Sequence, residues 1–213
     1  MSTKAEKPSG KQNHTIFTIG HSTRPFHQFL ELLQAHGVER VIDIRTIPRS
    51  RHNPQYSLDT LGPALNAAGI RYVHLKELGG LRRPKPDSNN VGWRNASFRG
   101  YADYMATSEF EMALSRAIEL CQVKPSALMC AEAVPWRCHR SLVADALAAR
   151  KFTVKHIMSA KLANGHELTP FAQVRGEKVT YPSEKPAIPK LPHHYHCYAY
   201  PFLTYLSSCC SML

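Results

Sequence analysis

"LMCAEAVPWRCHRSLVADAL", residues 128–147, opens as an apolar strand and closes as a helix. Its connection holds two cysteines, a glutamate, a histidine and two arginines. A strand running through a short loop into a helix is the repeating unit of a parallel α/β sheet. In such sheets ligands bind beyond the carboxyl ends of the strands. The stretch therefore indicates both a fold class and where to look for chemistry.

The same alternation extends in both directions. "TIFTIG" (15–20) reads as a strand, and "RPFHQFLELLQAHG" (24–37) as a helix. Pro25 suits its first turn, Phe26, Phe29, Leu30 and Leu33 form an apolar face, and Gly37 suits the stop. "VERVIDIR" (38–45) is a second strand. "LDTLGPALNAAG" (58–69) is a helix broken or started at Pro63 and ended by Gly69, and "IRYVHL" (70–75) a third strand. Residues 76–93, rich in Gly, Pro and Asn, read as a lid or binding loop. "SEFEMALSRAIELC" (108–121) is a helix with a capping box from Ser108 to Glu111. "SALMCA" (126–131) is the fourth strand, "CHRSLVADALAAR" (138–150) a helix, and "FTVKHI" (152–157) the fifth strand.

The expected fold is a single α/β domain over residues 14–182. It carries a mainly parallel five-stranded sheet flanked by helices, with disordered tails at 1–13 and 183–213. No internal repeat is present. "HHYHC" (193–197) in the C-terminal tail reads as an adventitious histidine cluster or a metal site.

A hydrophobic content of 43% over 213 residues suits a globular chain. No run of 18 apolar residues exists and the polar N-terminus lacks a signal-peptide core, so a soluble, cytoplasmic protein without a membrane partner is expected. Lys and Arg outnumber Asp and Glu by 27 to 16. That surplus favours anionic partners, a small molecule or a nucleic acid, and also suits a merely solvated basic surface. The six cysteines are irregularly spaced and no secretory signal precedes them, so reduced thiols are expected.

Four polar clusters fall just after strands: "GHS" (20–22), "DIRTIPRSR" (43–51), "KELGG" (76–80) and the loop of the opening stretch. A parallel sheet brings them to one edge. Cys138 at a helix start is a candidate nucleophile, since backbone N–H groups there favour a thiolate, with His139 or His21 as proton carrier. It also reads as a small apolar core residue, the plainer reading of the position taken alone. Glu132 could serve as general base or pair with an arginine such as Arg45; Cys130, on the same face by alternation, reads as core. Arg45, Arg51 and Arg140 could bind a phosphate through bidentate guanidiniums, oriented by Asp43 and supplemented by Ser22 and Ser50. Arg49 reads as part of a solvated basic face. Gly79 and Gly80 permit close backbone approach to a ligand, or a simple turn. Trp93, Phe98, Tyr101 and Tyr104 could stack a base or pack a helix.

Spacing separates two familiar chemistries. Anion-wrapping cysteine loops set five residues between Cys and Arg, whereas six separate Cys130 from Arg137. A zinc site prefers short paired spacings, while seven residues separate Cys130 from Cys138. No cofactor is therefore called for. A divalent metal on Cys130, Cys138 and His139 stands as a secondary reading.

At these residues the sequence resembles the DUF488 family. The resemblance is carried in order by "TIGHS", "VIDIRTIPRSR", "YVHLKELGG", "FRGYADYM" followed by "SEF", and "ALMCAEAVPWRCHRSLVADAL". It spans about residues 18–157, with "VTYP" (179–182) like the family's usual end. It implies an α/β domain and no established reaction. The residues themselves suggest an enzyme on a phosphate-bearing substrate, a nucleotide or nucleic acid. Other readings are a non-catalytic nucleic-acid-binding module and a metal-binding or thiol redox-sensing protein.

Overall fold

The structure is a computed structural model that describes residues 15–183. The expected tails, save Ser183, lie outside these residues, as do "HHYHC" and Cys197, Cys209 and Cys210.

All five expected strands form: β1 (Ile16–Gly20), β2 (Arg40–Asp43), β3 (Arg71–His74), β4 (Ser126–Cys130) and β5 (Val154–Ser159). They are mutually parallel. A sixth strand, β6 (Leu162–Gly165), runs antiparallel to β5 at one edge, giving the order β3-β2-β4-β1-β5-β6. A separate hairpin pairs β7 (Gln173–Arg175) with β8 (Lys178–Thr180), turning through Gly176 at φ +62. "LANG" and "QVR" are too short to show a period, so these additions were silent in the sequence.

The helices are α1 (Phe26–Ala35), α2 (Leu58–Ala67), α3 (Ala96–Tyr104), α4 (Ser108–Val123) and α5 (Arg140–Ala149). Gly37 and Gly69 end α1 and α2 at positive φ, the conformation glycine adopts without a Cβ penalty. Pro63 neither starts nor breaks α2 but lies inside it. The carbonyl it cannot serve belongs to Asp59, and both residues are exposed, so water can take that bond. Thr107, not Ser108, caps α4, accepting from the Phe110 N–H.

Chain direction explains the two layers. From β1 the chain moves leftward to β2 and β3, and from β3 it moves back to β4 and β5. Right-handed crossovers therefore place α1 and α2 on one face and α3, α4 and α5 on the other. The core divides accordingly. Phe29, Leu33, Leu61 and Leu65 pack on Ile19, Val41 and Met129. Leu114, Leu142 and Leu147 pack on Ile42, Leu128 and Cys130. Each such buried Leu or Phe stabilises by roughly 1.5–3 kcal/mol. Strand β4 is buried at every residue because both of its faces are covered.

Strand β4 leads to α5 on one face, while its neighbours β1 and β2 lead to α1 and α2 on the other. Loops that part in this way leave a crevice at the carboxyl end of β4. Cys130 is the last residue of that strand, directly opposite Gly20 of β1.

A buried polar chain ties the C-terminal part to this core. The Thr18 hydroxyl donates to His156 Nδ1 (2.6 Å), His156 Nε2–H to His166 Nδ1 (3.0 Å), and His166 Nε2–H to Asp145 (2.9 Å). The Asp145 carboxylate also accepts from Thr169 and Tyr181. No helix among the described residues is long and apolar enough to cross a membrane.

Candidate functional site

The crevice is a cavity of about 710 Å³. His21, Arg45, Cys130, Cys138 and His139 all border it, with Ser22, Ser50, Gly80 and Glu132. Side chains from four strand ends thus meet on one rim.

On the α2 side Asp43 is fully buried and grips Arg45, accepting from Nε at 2.9 Å and Nη2 at 2.5 Å. Tyr72 also donates to Asp43 at 2.7 Å, and Arg45 Nη2 donates to the Tyr56 carbonyl. Burial opposes the charge on Arg45, yet its bonds to Asp43 more than offset this and raise its pKa. Arg45 Nη1 donates to His21 Nε2 at 3.1 Å, leaving one guanidinium N–H for the cavity. His21 Nδ1–H donates to the Ser22 carbonyl, which is held at a positive φ of 52. The ring stacks on Tyr56 at 4.0 Å. Burial pushes its pKa down to about 4, despite the carbonyl partner that raises it. With both nitrogens engaged, His21 positions Arg45 and is not free to carry protons.

On the α5 side the sulfurs of Cys130 and Cys138 lie 2.7 Å apart, both as free thiols. Arg140, only 1% exposed, donates from Nη1 to Cys130 Sγ at 2.9 Å and to the Glu132 carbonyl at 3.1 Å. Its Nη2 donates to the Ala133 carbonyl, and its Nε is buried without a partner. No carboxylate among the described residues forms an ion pair with it. Arg140 therefore serves the thiols and does not line the cavity, so it is placed to hold the pair and not a substrate phosphate.

Burial disfavours a Cys130 thiolate, but the bond from Cys138 and the charge of Arg140 outweigh it and hold Cys130 below the ordinary thiol range. Cys138, bonded to Cys130 and itself buried, lies well above that range. The Arg140 backbone N–H, at the start of α5, also donates to Cys138 Sγ at 3.4 Å. Sequence reasoning offered Cys138 as nucleophile and Cys130 as core; Cys130 is buried in the core, with the Arg140 guanidinium 2.9 Å from its sulfur.

His139 donates from Nε2 to the Ile44 carbonyl at 3.1 Å and turns Nδ1 toward Cys138 Sγ at 3.5 Å. Burial lowers its pKa to about 4, so Nδ1 is an open acceptor beside the thiol at neutral pH. Gly80 allows this placement, because a Cβ there would overlap the His139 ring. Gly79 likewise abuts Thr46. Both glycines make room for protein atoms. Among the described residues no group of three or more His, Cys, Asp or Glu side chains could hold a metal ion, so Cys130, Cys138 and His139 do not form one.

The remaining candidates divide. Glu132 is exposed on the rim, where its carbonyl and not its carboxylate meets an arginine. Ser50 accepts from the Asn53 N–H and faces the cavity. Arg51 lies in an adjoining cavity of about 730 Å³, joined to the first through Thr46, Ile47, Arg49 and Ser50. Arg49 and Arg137 are exposed and line the main cavity. Of the four aromatics only Phe98 borders it; Trp93 packs on Phe98, Phe171 and Tyr181, and Tyr101 is fully buried. The loop at 76–93 is pinned by Asp103, which accepts from Lys85 N, Ser88 and Asn90, and so is not a free lid. Tyr56 carried no signal in the sequence, since it lies in a short 3-10 turn and its ring packs on His21 and Phe29, far off in the chain.

Fold and site together define an α/β domain with a buried cysteine pair at the switch point of a parallel sheet. The chain belongs to the DUF488 family, whose model, described as a domain of unknown function, matches residues 25–147. The matched stretch holds Arg45, Cys130, Cys138, His139 and Arg140. Neither a curated protein nor a solved structure matches the chain.

Proposed function

We propose that this protein is an enzyme acting on a phosphate-bearing substrate, a nucleotide or nucleic acid, with Cys130 as nucleophile. The observation that carries this reading is the Arg140 guanidinium 2.9 Å from Cys130 Sγ, with no carboxylate among the described residues in an ion pair with it. A buried cation of this kind favours a thiolate, the reactive form of cysteine. Above it the cavity presents Arg49 and Arg137, together with the Asp43-held Arg45, against a single lining carboxylate among the described residues, Glu132. That balance suits an anion. Attack by Cys130 sulfur on phosphorus would form an S–P bond as an O–P bond breaks, with Glu132 on the rim managing the proton of the leaving oxygen; water would then break the S–P bond, releasing phosphate and returning the thiolate. Cys138 and His139 Nδ1 would hold the proton shared with the thiolate.

Alkylation tests it. Inorganic phosphate or vanadate should slow the reaction of Cys130 with iodoacetamide, and Cys130→Ser should abolish turnover across a panel of phosphorylated nucleotides and oligonucleotides. If neither anion protects Cys130 and no member of the panel is turned over, the reading fails.

A further inference from the structure

We propose that Cys130 and Cys138 are a peroxide-reactive pair that closes reversibly into a disulfide. Their sulfurs sit 2.7 Å apart, and a disulfide requires about 2.05 Å. Bond formation therefore needs a shift of side chains and no rearrangement of β4 or α5. Cys130 ends a strand and Cys138 precedes the first turn of a helix, and the short turn at Pro135–Arg137 folds one back over the other. Both cysteines line the cavity, although each residue is buried, which puts the pair beside a path for a small oxidant. Cys121 is a contrast: it does not line the cavity, and burial pushes its pKa up to about 12.

The oxidant is hydrogen peroxide. Cys130 thiolate attacks one peroxide oxygen and the O–O bond breaks. Cys130 sulfenic acid forms, and the departing hydroxide takes a proton to become water. Cys138 sulfur, its proton passing toward His139 Nδ1, then attacks Cys130 sulfur. An S–S bond replaces the S–O bond, and the departing hydroxide takes that proton as a second water. Two thiols lose two electrons in all, and one peroxide gains them. A dithiol reductant reverses the change. With Cys130 in a disulfide the nucleophile is gone, so the same step switches the enzyme off; this last consequence rests on the function proposed above, whereas the thiol chemistry does not.

Peptide mapping of the full-length protein after brief exposure to hydrogen peroxide tests the inference. Trypsin cuts between Arg137 and Cys138, so the disulfide should link the peptide ending at Arg137 to Cys-His-Arg (138–140), and dithiothreitol should release it. Fragmentation distinguishes Cys130 from Cys121 within the first peptide. In Cys138→Ser, Cys130 should persist as a sulfenic acid that dimedone traps; in Cys130→Ser, Cys138 should stay reduced. The inference is overturned if wild-type protein keeps both thiols free, if either cysteine links instead to Cys121, Cys197, Cys209 or Cys210, or if folded Cys138→Ser gives no dimedone adduct. A linked pair in a protein whose Cys130 ignores phosphate would uphold the redox chemistry and remove only the switching role.

Discussion

Arg140 Nη1 donates to Cys130 Sγ across 2.9 Å, and the buried guanidinium has no acidic partner among the described residues. A buried charge is costly unless something opposes it. Among the described residues the nearest group able to oppose it is a cysteine that gives up its proton, and the guanidinium donates to the sulfur of Cys130.

Arg140→Met keeps an unbranched stem in the core and removes the charge. The pH midpoint for alkylation of Cys130 by iodoacetamide should move upward by about one unit or more, each unit being ~1.4 kcal/mol of lost thiolate stabilisation. An alkylation profile coinciding with wild type would mean that Arg140 does not set the reactivity of Cys130.

Stability should decline as pH falls from about 6.5 to about 4. Burial lowers the pKa of His21, His139 and His156 to about 4 each, against 6.5 for an ordinary histidine. Between these values the unfolded chain binds more protons than the folded one, so the stability present above pH 6.5 is lost on acidification. Urea titrations at intervals across that range should show unfolding coupled to uptake of up to about three protons. His156→Gln should flatten the dependence; a wild-type urea midpoint independent of pH here would contradict it.

Asp43→Asn leaves Arg45 buried beside a neutral amide. Removing one partner of a buried ion pair costs about 3–5 kcal/mol, which urea denaturation would read directly. The loss should also free Arg45 from its bidentate hold and weaken phosphate protection of Cys130. Little change in stability would show that the Tyr56 carbonyl and His21 suffice to hold Arg45.

Gly20→Ala should destabilise by about 3 kcal/mol, through overpacking and not through lost flexibility. A Cβ at this position would overlap the Glu132 carbonyl and come within 2.8 Å of Arg140 Nη1. The same change should perturb Cys130 alkylation, because Glu132 carbonyl and Cys130 share that nitrogen. Wild-type melting together with wild-type alkylation would mean that the loop after β4 yields freely.

Much of this arrangement was legible in the chain. Period and punctuation marked five strands and the main helices, with Gly37 and Gly69 stopping two of them where a positive φ is needed. The convergence of residues near 21, 45, 80 and 138 followed from parallel topology alone. Less legible were β6, β7 and β8, segments of three or four residues that owe their form to the β5 edge and to each other. Helix α3 hid in a stretch noted only for its aromatics, because its stability comes from Asn95 capping and from Tyr101 and Asp103 reaching into the preceding loop.

The sequence by itself determined that a strand ending at Cys130 would pass into a helix near Cys138, and that polar residues would gather at that sheet edge. Backbone periodicity and crossover handedness are local or topological rules, so they can be read in order along the chain. Only the tertiary structure decided what each polar group does. It turned Arg140 from the cavity to Cys130, engaged both nitrogens of His21, and set Gly80 against His139. A charge acts on whatever lies within a few ångströms of it, and those neighbours come from segments far apart in the chain, brought together only by the packed sheet.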